Sequence, residues 1–349
     1  MSWPDKDTIT QSVVDMLNVN MKLKAGETLL IVSDYPRPED WQKYSDVRLE
    51  TMLERVVLAR FITEIAQEQF VDSQVLFHPF LATGMSGKEP DIETVSLMKS
   101  VDVLLCITEH SLSQTNSREA ATKAGIRIAS MPTFDHSMFA PDGPMAVDYQ
   151  QVSADCKKFA DLLSSADRVV VKTPYGTELS FRLTDRFGQV DHGLIGDDPE
   201  LWGNLPAGEA YVIPLEGTGE GQLVTLAGWY PELSEEMVMI FKNGLVVDLQ
   251  GGGEIGKHFS KLLNLNNENE PFVSRRNLAE LGIGTNPNAR RPDNLLEAEK
   301  IKGTVHIAIG DNIHMGGKIE SDLHEDFVQP QVDLYLDGAP VILQGEWQV

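Results

Sequence analysis

The hydrophobic rhythm of this chain changes near residue 165, and that change limits the folds open to it. Before it, apolar runs of strand length alternate with stretches of helical period. Thr28-Leu29-Leu30-Ile31-Val32 reads as a buried strand, and Arg48 to Phe70 as a helix with Met52, Val56, Leu58, Ile62 and Ile65 on one stripe. A strand at 74–77, a helix at 92–99, a strand at 103–108 and a helix at 117–123 follow, the last stopped by Gly125. Ile126-Arg127-Ile128-Ala129 starts another strand, and a helix near 153–163 leads out. Strands alternating with helices require a mainly parallel sheet covered on both faces. After residue 165, short strand-like runs follow one another: a hairpin over 169–181, then runs at 208–213, 222–227, 237–241 and 245–249. Asn243-Gly244 between the last two is a strong two-residue hairpin turn. One clear helix is expected near 257–263. The reading is therefore a Rossmann-like α/β domain over 1–165, followed by an α+β, antiparallel, barrel-like domain over 166–349.

Composition narrows the function. The formal net charge of −24 over 349 residues repels nucleic acid and anionic membranes, so neither is expected as a partner. No apolar run reaches membrane-spanning length, and Met1-Ser2-Trp3-Pro4-Asp5-Lys6-Asp7 carries no basic segment followed by an apolar one. The two cysteines, Cys106 and Cys156, are far apart and outside any CxxC, which excludes cysteine metal sites and disulfide frameworks. A cytoplasmic location is expected.

Two glycine-rich runs invite a nucleotide reading. Gly251-Gly252-Gly253-Glu254-Ile255-Gly256 fits GxGxxG between a strand and a helix. It lies in the antiparallel half, with no parallel strand to follow, so a strand-to-helix turn is the better reading. Gly217-Thr218-Gly219-Glu220-Gly221 is read as a loop. No cofactor-binding residues are assigned.

The chemistry lies near the C-terminus. Gly303-Thr304-Val305-His306-Ile307-Ala308-Ile309-Gly310 and Ser321-Asp322-Leu323-His324-Glu325-Asp326-Phe327-Val328 each place a histidine in a strand-like run. A period of two puts His324 and Asp326 on one face, and sets His306 opposite the apolar Val305, Ile307 and Ile309. Two imidazoles and a carboxylate on neighbouring strands suit a divalent transition metal. Glu280 and Glu209 sit in apolar, glycine-containing runs, where an ionised carboxylate needs a partner, and a metal would be one.

Five segments, taken in order, resemble the M29 family of metallopeptidases, the aminopeptidase T and S type. They are Thr173-Pro174-Tyr175-Gly176-Thr177-Glu178-Leu179-Ser180-Phe181, Asn204-Leu205-Pro206-Ala207-Gly208-Glu209, Ala279-Glu280-Leu281-Gly282-Ile283-Gly284-Thr285-Asn286-Pro287, the His306 segment and His324-Glu325-Asp326. The resemblance covers residues from about 165 onward. It implies two divalent ions (Zn, Co or Mn) held by Glu209, Glu280, His306, His324 and Asp326, a peptide or amide substrate, and a homodimer. A metal-activated water would attack the scissile carbonyl, with Glu209 as ligand or as general base.

One departure matters. Family peptidases carry a tyrosine seven residues after the histidine that matches His306, and here Ile313 stands there, followed by His314. His314 is the candidate replacement donor for the reacting carbonyl. A shorter relative of the same fold, 2,5-dihydroxypyridine 5,6-dioxygenase, uses Fe(II) and keeps the His-x-Asp pair, with histidine where this chain has Glu280. The alternative is thus a mononuclear Fe(II) ring-cleaving dioxygenase using His306, His324 and Asp326 on a dihydroxylated N-heteroaromatic. Glu280 and His306 together favour the dinuclear, aminopeptidase-type hydrolase, which is the first expectation.

Overall fold

The computed structural model describes residues 5–349. Met1–Pro4, part of the stretch read as lacking a secretory signal, lie outside them. The strands, in chain order, begin with β1 (Thr28–Tyr35), β2 (Gln74–Leu81), β3 (Val103–Ile107) and β4 (Arg127–Ser130). Then come β5 (Arg168–Lys172), β6 (Glu178–Arg182), β7 (Gln189–Asp191), β8 (Trp202–Asn204) and β9 (Glu209–Val212). β10 (Glu220–Thr225), β11 (Met237–Lys242), β12 (Leu245–Gly251), β13 (Leu278–Gly284) and β14 (Val305–Gly310) follow. The last are β15 (His324–Gln329), β16 (Asp333–Leu336), β17 (Ala339–Leu343) and β18 (Glu346–Trp347).

The chain forms two compact units. One runs to Gln150 and resumes over His192–Ala207; the other comprises Gln151–Asp191 and Gly208–Val349. Against the boundary drawn at 165, most of the helix Tyr149–Ser165 falls in the second unit, and 192–207 returns to the first with strand β8.

The first unit holds a five-stranded sheet in the order β2-β1-β3-β4-β8, parallel throughout. β3 and β4 are buried along their whole length, as the unbroken apolar runs require of strands covered on both faces. The long helix Asp46–Gln69 begins at Ser45, whose side chain accepts from the Arg48 backbone N–H, and buries Leu49, Met52, Leu58, Ile62 and Ile65.

The second unit holds two antiparallel sheets. The larger has the order β12-β11-β10-β6-β5-β16-β17-β18; the smaller is β15-β14-β13-β9-β7. The end strands of neither sheet pair with one another, so the barrel-like expectation is corrected: both sheets are open. A single apolar cluster joins them, with Val169, Phe181, Met239 and Phe241 from the larger sheet meeting Leu281, Ile283, Ile307 and Phe327 from the smaller. Asn243 and Gly244 both have positive φ, as a hairpin turn of the primed type demands. The Gly251–Gly256 run is a strand-to-helix turn: a Cβ on Gly256 would lie 2.0 Å from the Gly251 carbonyl oxygen, so the helix Gly253–Leu263 closes on its own strand.

Among the described residues, no helix is long and apolar enough to cross a membrane.

Candidate metal centre

Register explains how residues scattered over more than a hundred positions meet. Gly284 pairs with Glu209, which pairs with Asp191. Glu280 pairs with Ala308, and Ala308 with Asp326; Gly282 pairs with His306, and Gly310 with His324. Because side chains alternate along each strand, Asp191, Glu209, Tyr211, Glu280, His306, His324 and Asp326 all emerge on one face of the smaller sheet. The other face carries Ala210, Val212, Leu281, Ile283, Val305, Ile307 and Phe327, which enter the core.

The polar face is itself enclosed: Glu209, Glu280 and His306 are buried. Gly282 makes room for this crowding, since a Cβ there would lie 2.1 Å from the His306 ring. Gly284, two residues on, lets the segment after helix Leu295–Ala298 lie against the sheet; a Cβ would meet the Ile301 carbonyl oxygen at 2.1 Å.

The five residues expected as ligands converge into two groups that could hold a metal ion, and the groups share Glu280. One is Glu209, Glu280 and His306; the other is Glu280, His324 and Asp326. His306 Nε2 lies 3.4 Å from Glu209 Oε2 and 3.4 Å from Glu280 Oε1, and 4.0 Å from Asp326 Oδ1. His324 Nε2 lies 3.3 Å from Glu280 Oε2 and 3.7 Å from Asp326 Oδ1. His324 Nδ1 is 2.8 Å from the Asp311 carbonyl oxygen, which can only accept. That contact puts the proton of a neutral ring on Nδ1 and leaves the Nε2 lone pair facing the carboxylates, the arrangement a metal needs.

The donor set fits a divalent ion. Glu209 Oε2, His306 Nδ1 and Asp326 Oδ1 are buried without a hydrogen-bond partner. Burial works to lower the His306 pKa, but Glu280, Glu209 and Asp326 outweigh it and raise it to about 9. The His324 pKa is likewise raised, against burial, by Asp326 and Glu280. These carboxylates draw positive charge to the centre, which a divalent ion would also supply.

Sequence reasoning missed several neighbours. Lys300 is fully buried, with Nζ 2.6 Å from Glu209 Oε1, 3.3 Å from Glu299 Oε2 and 3.6 Å from Asp191 Oδ2. Tyr211, whose hydroxyl donates to Gln189 Oε1 at 3.4 Å, has its pKa raised by burial and then by Glu280, Glu209 and Asp191, so it stays a neutral phenol. The spacing of β7 and β9 could have flagged Asp191 and Tyr211; nothing local marks Lys300 as buried. His314 is exposed on the short turn Ile313–Met315 and belongs to neither ligand group; Ile313 is exposed beside it.

A sequence model of the family described as 2,5-dihydroxypyridine 5,6-dioxygenase (NicX) matches residues 10–349. The chain belongs to this family. It is 24% identical over 199 residues to the 2,5-dihydroxypyridine 5,6-dioxygenase of Pseudomonas putida KT2440, an alignment covering 53% of this chain and 55% of that protein. The chain thus spans about half the length of that curated relative. A solved structure of 2,5-dihydroxypyridine dioxygenase from the same organism shares the fold, with a TM-score of 0.74 at 18% identity over 99% of this chain and 98% of that one. AmpT from Thermus thermophilus also shares it, with a TM-score of 0.61 at 14% identity over 99% and 100% of the two chains. The expected membership of the peptidase family is therefore corrected. This chain sits in the dioxygenase family, and its kinship with aminopeptidases is one of fold.

Proposed function

We propose that this protein is a metal-dependent ring-cleaving dioxygenase. Its substrate would be a small dihydroxylated N-heteroaromatic such as 2,5-dihydroxypyridine, and its metal one Fe(II) held by Glu280, His324 and Asp326. The observation that carries this reading is the family match, which runs through every residue of the site. The donors are one imidazole and two carboxylates, with no thiolate; Glu280 stands in for one imidazole of the usual two-histidine, one-carboxylate iron set, and positions are left for exogenous ligands.

When bound, the ion supplies the redox-active centre at which dioxygen and a hydroxylated ring would meet. The remaining work falls to the chain. The Asp311 carbonyl fixes the His324 ring, so its donor nitrogen is set before metal arrives. His306 stands beside this group and holds a proton at Nε2 between Glu209 and Glu280, ready for exchange with a ring hydroxyl. Burial of the polar face keeps bulk water from that proton. Ile313 supplies no hydrogen-bond donor, so the peptidase's carbonyl-stabilising group is missing at that position.

The second donor group, Glu209 with Glu280 and His306, is the observation that favours the rival reading, a two-ion aminopeptidase-type hydrolase. Anaerobic purification followed by metal analysis and two assays separates them. The dioxygenase reading expects about one iron per chain and oxygen uptake matched to loss of ring absorbance with 2,5-dihydroxypyridine. About two zinc, cobalt or manganese ions, with hydrolysis of aminoacyl amides and no oxygen uptake, would establish the hydrolase instead.

A further inference from the structure

The site carries one group that neither reading uses. Lys300 has no exposed surface, and its ammonium lies among three carboxylates, those of Glu209, Glu299 and Asp191. A buried ammonium is costly unless such partners surround it, so its position is strongly determined. The backbone holds it there as well. The Asn286 N–H donates to the Lys300 carbonyl at 2.9 Å, the Lys302 N–H donates to the Asn286 carbonyl at 3.2 Å, and Gly284 admits the segment at close range.

Glu209 is the hinge of the arrangement. Its Oε1 is bonded to Lys300 at 2.6 Å, while its Oε2 faces His306 at 3.4 Å in the second donor group. A divalent ion in that group would share one carboxylate with a fixed positive charge. The two cations would repel across a few ångströms in a buried, weakly screened setting. Among the described residues, no lysine or arginine pairs with Glu280, His324 or Asp326; their one cationic neighbour is the His306 imidazole, which can give up its proton, so no fixed positive charge opposes an ion in the first group.

We infer that Lys300 is a positioning residue that sets the metal number: its ammonium takes the electrostatic place of a second divalent ion, holds Glu209 out of the ligand set, and leaves a single ion at Glu280, His324 and Asp326. The inference rests on the one-ion part of the function proposed above. It adds that a two-metal site is latent in this chain and is suppressed by one side chain.

The test is metal stoichiometry, read by elemental analysis after equilibration with excess Mn²⁺ or Zn²⁺ and gel filtration. The unmodified protein is expected to hold about one ion per chain, Lys300→Met about two, and Lys300→Arg, which keeps the charge, about one. Glu209→Gln in the otherwise unmodified chain is expected to keep its single ion at unchanged affinity. A folded Lys300→Met variant that stays at one ion overturns the inference, and so does loss of the ion from Glu209→Gln. The Glu209→Gln arm decides the matter if Lys300→Met does not fold. Two ions in the unmodified protein would overturn both this inference and the one-ion site. One ion throughout, with oxygen uptake intact, would remove the role of Lys300 and leave the dioxygenase reading standing.

Discussion

The two site histidines differ in what their second nitrogen does, and that difference ranks them. His324 Nδ1 is anchored on the Asp311 carbonyl, whereas His306 Nδ1 is buried with no hydrogen-bond partner. An anchored ring presents a defined lone pair; an unanchored one is held only by packing and by its carboxylate neighbours. His324→Ala is therefore expected to weaken metal binding by about 100-fold or more, beyond what loss of an outer partner costs. His306→Ala should retain the ion and lose turnover. Equilibrium dialysis against iron or manganese checks the first, and oxygen uptake the second; equal metal loss in both variants would contradict the ranking. A different carboxylate sets the acid response. Asp34 is the penultimate residue of strand β1 in the first unit, accepts from the Glu109 backbone N–H at 2.7 Å, and is buried with its other oxygen unpaired. Burial raises its pKa from 3.8 to about 7, against the pull of that N–H and of Arg55. Between those two values the folded state keeps a proton that the unfolded state has released. Asp34 thus costs stability as pH rises from about 4 to about 7, and the cost is constant above that. Asp34→Asn keeps the acceptor and removes the titration. Its stability difference between pH 4 and pH 8 should be about 3–5 kcal/mol more favourable at the alkaline end than that of the unmodified protein. Urea titrations at the two pH values measure it, and parallel pH slopes would refute it.

At the scale of the element, the site is a property of strand parity. β13 reads Leu-Ala-Glu-Leu-Gly-Ile-Gly, placing Glu280, Gly282 and Gly284 on one face and Leu281 and Ile283 on the other. Each glycine is the absence of a side chain where another group must lie: the His306 ring over Gly282, the Ile301 backbone over Gly284. Gly282→Ala would press a methyl group into a buried imidazole at 2.1 Å. We expect it to destabilise the chain by about 1–3 kcal/mol and to reduce metal content, both read from one denaturation series with and without metal. Unchanged stability and metal content would mean that the ring has space the register does not show. This element also marks what was legible beforehand. The His-x-Asp pair, the His306 strand and the carboxylates in glycine-bearing apolar runs were readable, because period and composition are local. So was the alternation that builds the parallel sheet. The open form of the two antiparallel sheets was not, because closure depends on whether end strands β12 and β18 of the larger sheet, or β15 and β7 of the smaller, meet, and no local signal reports that. Lys300 was hidden for the same reason. Its sequence neighbours, Glu299 and Ile301, resemble any solvated stretch, and only the fold brings Asp191 and Glu209 to it. The choice between peptidase and dioxygenase likewise eluded the motifs, since solved structures of both kinds share this chain's fold.

The whole molecule carries 53 acidic residues against 29 basic ones, a formal charge of −24. Part of this excess is concentrated in the centre, where Glu209, Glu280, Glu299, Asp191 and Asp326 meet Lys300 and two imidazoles. The rest is spread along the chain and repels itself when the chain is compact. These two populations should respond differently to salt. Exposed charges separated by more than the screening length, about 10 Å at 0.1 M and about 3 Å at 1 M, are relieved by added salt; the buried cluster is screened far less. It is relieved by the metal instead, through binding linkage. Two additive effects follow. Raising NaCl from about 0.01 M to about 0.5 M should raise the melting temperature of the metal-free protein by a few degrees, because self-repulsion favours the expanded chain. Adding a divalent ion at fixed high salt should raise it again, and His324→Ala should abolish the second rise while leaving the first intact. Differential scanning fluorimetry across a salt series, with and without Mn²⁺ and with sucrose as a neutral control, measures both. A metal increment that vanishes at high salt would place the ion among exposed surface carboxylates. An increment that persists in the unmodified protein and is lost in the variant would locate it on the enclosed face of the smaller sheet.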